Sequence, residues 1–104
     1  MVRLIALYNP PDDPEAFDAH YREVHAPIVD RYPGIRDVRL TRPDGLAGRP
    51  APFHLMAEMR FDTRADLDSA LASDAARESG RDLRSFAGAG VTLFIADDAA
   101  ATDG

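Results

Sequence analysis

Three histidines, His20, His25 and His54, are the side chains here whose ordinary titration range lets them exchange protons near neutral pH. The sequence has no cysteine, which removes disulfides, thiolate nucleophiles and sulfur-ligated metal sites. All of its basic residues are arginine, so no lysine is present to form a Schiff base. His25 has the most unusual setting, because Ala26 and Pro27 follow it inside an otherwise helical pattern. A proline there lacks a donor and its ring presses on the carbonyl of Glu23, at a cost of about 3 kcal/mol or more. Ala26 is expected to leave helical angles. The helix should therefore kink around residues 23–27, or end and restart with Pro27 in a new first turn. Either way, carbonyls near His25 lose partners and the imidazole is held in an unusual place.

On a helical wheel of ~100° per residue, His25 lies roughly 80° round from Phe17, flanking the apolar stripe. Two roles fit it. It is a hydrogen-bond donor or general acid/base at a pocket rim, or a structural group bonded to a carbonyl freed by Pro27. His20 stands about 140° from His25 on an ideal helix, so the two are not expected to clasp one metal. No His-x-x-x-His spacing is present and no metal site is expected. Glu58 and Arg60 share a strand face and suit interface ion pairs. Tyr8, Tyr21 and Tyr32 read as core or rim aromatics. Gly88 and Gly90 make only a turn. No Ser-His-Asp arrangement, phosphate-cradling loop or dinucleotide fingerprint is visible, and no cofactor is expected.

The elements that must position these residues come from hydrophobic periodicity. Val2–Tyr8 reads as a strand. Asp13 suits an N-cap with Pro14 at the first helical position. Phe17, Tyr21, Val24, Ile28 and Tyr32 then make one helical stripe until Tyr32-Pro33-Gly34 ends it. Ile35–Arg42 is a second strand, residues 43–52 are a mobile loop, and Phe53–Phe61 is the clearest strand. In that strand Phe53, Leu55, Ala57, Met59 and Phe61 share one face, and His54, Met56, Glu58 and Arg60 share the other. Thr63 caps a second helix, which Gly80 is expected to interrupt before a short turn over 82–86. Val91–Ala96 is the last strand.

The order β-α-β-β-α-β predicts an α+β, ferredoxin-like domain over residues 1–96, with residues 97–104 as a disordered tail. Four antiparallel strands should carry both helices on one face. The other face, with His54, Met56, Glu58, Arg60 and Phe94, is too apolar for water and too polar for a dry core. A second sheet is expected to cover it, making a homodimer with two facing sheets and a pocket. At 104 residues the chain is one domain. A net charge of −6 argues against nucleic acid. No apolar run approaches a membrane span, the N-terminus lacks signal-peptide architecture, and a cytoplasmic location is the default.

The run Phe17-x-x-His20-Tyr21-x-x-x-His25-Ala26-Pro27-Ile28, followed by Tyr32-Pro33-Gly34-Ile35, resembles the signature helix of the EthD family. The opening Leu4-Ile5-Ala6-Leu7-Tyr8-Asn9 and the step from Phe61-Asp62 into the second helix extend the resemblance over residues 2–96. Ile28 and Ile35 stand where leucine is more usual, and His20 opens the family's aromatic pair. The resemblance implies a dimeric α/β barrel. Similar folds include cofactor-free monooxygenases, haem-degrading enzymes, lactone isomerases and polyketide-tailoring proteins, and EthD members accompany degradation of ethyl tert-butyl ether. It also marks His25 as the catalytic candidate. The pocket is expected to be lined by Tyr21, His54, Met56 and Phe94 and to hold a hydrophobic, aromatic or oxygenated metabolite. The chain is then a cofactor-free monooxygenase or isomerase, or a non-catalytic ligand-binding accessory protein.

Overall fold

A computed structural model describes residues 1–99. Its elements are β1 (Val2–Tyr8), α1 (Pro14–His20), a π-helical turn (Tyr21–His25), α2 (Ala26–Val29), β2 (Asp37–Thr41), β3 (Leu55–Phe61), α3 (Arg64–Leu71), α4 (Asp74–Phe86) and β4 (Val91–Asp97). The strands form one antiparallel sheet in the order β2-β3-β1-β4. This is the ferredoxin-like arrangement, with the helical layer on one side.

Local chemistry sets the helix starts. The Asp13 carboxylate accepts the Ala16 N–H at 3.1 Å, and Thr63 Oγ1 accepts that of Asp66 at 3.1 Å. The second helical segment breaks at Ala72–Ser73, and the expected interruption at Gly80 is absent. Ser73 explains this: its hydroxyl accepts the Ala76 N–H at 3.2 Å and starts a new helix. Gly80 then sits inside α4, where a lone glycine costs only about 1 kcal/mol. As a result residues 82–86 are the last turns of a 13-residue helix. β4 runs one residue past the expected end, since Asp97 pairs with Val2. Asp98 comes next and holds the Met1 ammonium at 3.1 Å and Arg3 at 3.4 Å. The rest of the expected tail, residues 100–104, lies outside the described residues.

Val2, Leu4, Ala6 and Tyr8 of β1 and Leu55, Ala57, Met59 and Phe61 of β3 are buried against the helices, with Phe17, Tyr21, Val29, Tyr32 and Leu67. The alternate positions form the other face. Cross-strand pairing places Phe94, Ile5, Glu58 and Arg39 in one row across it, and Thr92, Leu7, Met56 and Thr41 in the next. Among the described residues no helix covers that side.

Candidate functional site

The site begins with the proline problem. In the π-helical turn the Ala26 N–H reaches the Tyr21 carbonyl, five residues back. Pro27 has no N–H to give, and the widened turn relieves the ring's pressure on the carbonyl of Glu23. Ala26 therefore stays helical at φ −57° and ψ −42°. The expected departure at Ala26 is absent, while the expected restart occurs: the α-helix ends at His20 and a new one begins at Ala26 with Pro27 in its first turn. The extra residue in the turn rotates the later side chains about the helix axis. Val24, expected in the apolar stripe, is 42% exposed, and His25 takes the buried place at 3%.

The same rotation brings His20 and His25 to one side, where both meet Asp82 of α4. His25 Nδ1 lies 2.9 Å from Asp82 Oδ2, and His20 Nε2 lies 2.8 Å from Oδ1. Burial works to raise the Asp82 carboxyl, but the hydrogen bonds from His20 and His25 outweigh it and hold it below the usual carboxylate range. An ionised carboxylate only accepts, so Nδ1 of His25 carries the proton and donates. Burial pushes His25 below the ordinary imidazole range, against the pull of Asp82. The neutral ring then carries its lone pair on Nε2, because its bond to Asp82 runs through Nδ1.

His25 lines a cavity of about 190 Å³ between the helices and the sheet, together with Leu4, Tyr8, Tyr32, Ser79 and Leu83. Ser79 Oγ donates to the Ala76 carbonyl at 3.0 Å. Its single hydrogen is thereby used, so the Tyr32 hydroxyl donates to Ser79 Oγ. Tyr8 is 2% exposed. Burial, then the neighbouring Tyr21 and Tyr32, push its phenol far above the ordinary range, so it stays a neutral O–H donor. A base, a neutral hydroxyl donor and apolar walls around one small space are the parts needed to take a proton from carbon and hold the resulting oxyanion.

Residues 9–90 match the model of the EthD domain. The chain belongs to the EthD family. An EthD family protein of Bacillus halodurans is 42% identical, with a TM-score of 0.88 over 95% of this chain and 99% of that one. An uncharacterized 11.0 kDa protein from the thcB-thcC intergenic region of Rhodococcus erythropolis is 34% identical, over 94% of this chain and 95% of its own length. SnoaB of Streptomyces nogalater, a cofactor-independent oxygenase, shares the fold at 16% identity and a TM-score of 0.68, over 99% and 97% of the two chains.

In this EthD chain the sheet divides the residues expected to share a pocket. Tyr21 stays beside His25, ring centroids 5.4 Å apart, but lines shallow hollows toward β2. Burial raises its phenol to about 12. His54 is absent from the face it was expected to share with Met56. The strand begins at Leu55, so side-chain alternation does not reach back to residue 54. Its ring instead meets Phe17 edge-on at 5.2 Å, and its Nε2 lies 2.8 Å from Asp18 Oδ1. Met56 and Phe94 lie on the uncovered face, across the sheet from His25. The chain's own cavity therefore joins His25 to none of the other four residues. Sequence reasoning missed Asp82, Tyr8 and Ser79. Asp82 was hidden by the expected break at Gly80. A helix continued through that glycine puts Ser79 and Asp82 three residues apart on one face, which was the signal that could have found those two.

Proposed function

We propose that this EthD protein is a cofactor-independent enzyme that removes a proton from carbon in a small hydrophobic, aromatic or oxygenated metabolite. The observation that carries the reading is a neutral His25, bonded to Asp82 through Nδ1, with the lone pair on Nε2 of a ring that lines an apolar cavity. As the C–H bond breaks, Nε2 gains the proton and the electron pair moves into an adjacent carbonyl. The enolate oxygen accepts a hydrogen bond from Tyr8. Returning the proton to another carbon completes an isomerisation. Alternatively the carbanion adds dioxygen, the peroxide takes the proton from His25, and loss of water leaves a new carbonyl. The fold shared with SnoaB supports the oxygenase form, because that protein works without a cofactor.

Proton–deuterium exchange at carbon tests the shared first step without knowledge of the product. In D₂O under nitrogen, the protein should speed exchange of at least one member of a panel of 1,3-diketones and hydroxyaryl ketones about a hundredfold or more over buffer. Ligands that bind, seen by chemical-shift changes, with no exchange above buffer would instead identify a carrier.

The same reading includes a homodimer joined through the uncovered sheet face. Ile5, Leu7, Met56 and Phe94 give that face an apolar centre. Glu58 and Arg39 stand opposite each other on it, and the buried Nε of Arg3 has no acceptor among the described residues. A buried donor left unpaired costs about 1–3 kcal/mol, which a partner's acceptor would recover. Light scattering at micromolar concentration should give twice the 11.3 kDa chain mass. A monomer would overturn this part.

A further inference from the structure

His20 is not needed to bind Asp82 in the proposed reaction, yet it takes half of that carboxylate. Asp82 offers one oxygen to each histidine, at 2.8 Å and 2.9 Å. The two rings differ in access: the His25 side chain is 4% exposed and that of His20 is 31% exposed. His20 also stacks on Phe86 with ring centroids 4.6 Å apart, and it lines a surface cleft with Asp12, Asp13, Phe17 and Ser85. One imidazole thus meets the cavity and the other meets solvent, with one negative charge between them.

We propose that His20 is a positioning residue which, by competing for the single charge of Asp82, keeps His25 in its neutral, proton-accepting form in mildly acidic solution. This rests on the reading of His25 as the base. When His20 takes a proton from solvent, its cation is balanced by Asp82. Protonating His25 as well would place two cations on one carboxylate, so the second proton binds less readily. The titratable groups against His25 are Asp82 from α4, His20 from α1, Tyr8 from β1, Tyr21 from the π turn and Tyr32 after α2. The three phenols are all raised and stay neutral over this range, leaving His20 and Asp82, with Asp12 and Asp13 in the cleft beside His20, to set the local charge.

The test is a ¹⁵N NMR titration of both rings in the substrate-free protein, wild type against His20→Gln and His20→Phe. Glutamine keeps a donor for Asp82 but carries no charge, so it separates charge competition from simple support. In His20→Gln the His25 midpoint should rise by about half a unit to one unit, a roughly three- to tenfold tighter hold on its proton. Its curve should also simplify to a single step. His20→Phe should raise it as well, and if that variant fails to fold, His20→Gln alone decides. An unchanged His25 midpoint in His20→Gln overturns the proposal, even if the protein exchanges carbon-bound protons. A raised midpoint with no carbon exchange for any substrate leaves the coupling standing and removes the catalytic reading alone.

Discussion

Replacing His25 by glutamine is expected to slow carbon-acid exchange by about 10²–10⁴, the usual worth of a positioned general base. Glutamine is close in size and its amide can still donate to Asp82, so the fold and the oligomeric state should survive. The lone pair at the cavity is lost. The variant should also alter stability against pH. The folded imidazole titrates below the usual 6.5 because burial disfavours its charged form. Between the folded value and 6.5 the unfolded chain therefore binds a proton that the folded chain refuses. Stability falls as pH falls through that window. Chemical denaturation across mildly acidic pH should show this slope in the wild type and a shallower one in His25→Gln. Full exchange activity in the glutamine variant would end the proposed role.

Asp82→Asn is expected to cost nearly as much activity while removing no group from the cavity. An amide can accept from one histidine only and presents N–H to the other. Facing that N–H, His25 gains by moving its proton to Nε2 and accepting at Nδ1, which aims a donor at the substrate where a base is needed. In hydrolytic triads the equivalent change lowers turnover about 10⁴-fold, and a loss of about 10³-fold or more is expected here. Nitrogen chemical shifts of His25 report the tautomer directly, and retention of the wild-type pattern would refute this account. Asp82 also carries an acid limb of stability. Its folded carboxyl sits below the usual 3.8, so its contribution is fully present above that pH and disappears as pH falls through the folded value. The asparagine variant should lack that limb. If one histidine donor is left unpaired, it should also be less stable at neutral pH by about 1–3 kcal/mol.

These two residues differ in how far the sequence reveals them. His25 announces itself because a proline two residues on is hard to place in a helix, and the family motif marks the same position. Asp82 has no such mark: it lies between Arg81 and Leu83 in a polar helix, after a glycine that reads as a stop. Its role arises only where α4 crosses the π turn, 57 residues from His25 along the chain. His54 shows the reverse error. Strict alternation assigns it to the open face, but alternation holds only where strand pairing holds, and pairing starts one residue later.

By itself the sequence determined the order of elements, the sheet's two faces, the helix caps at Asp13 and Thr63, and the unusual setting of His25 ahead of Pro27. Each depends on neighbours within a few residues, through periodicity, capping or the missing N–H of proline. Only the tertiary structure decided that His20 and His25 share Asp82, that Tyr8 and Ser79 complete the cavity, and that Met56 and Phe94 lie across the sheet from it. Those facts depend on one extra residue in a helical turn and on how two distant helices meet. A rotation of about one residue, ~100° on a helix, exchanges a buried side chain for an exposed one, and no local pattern records it.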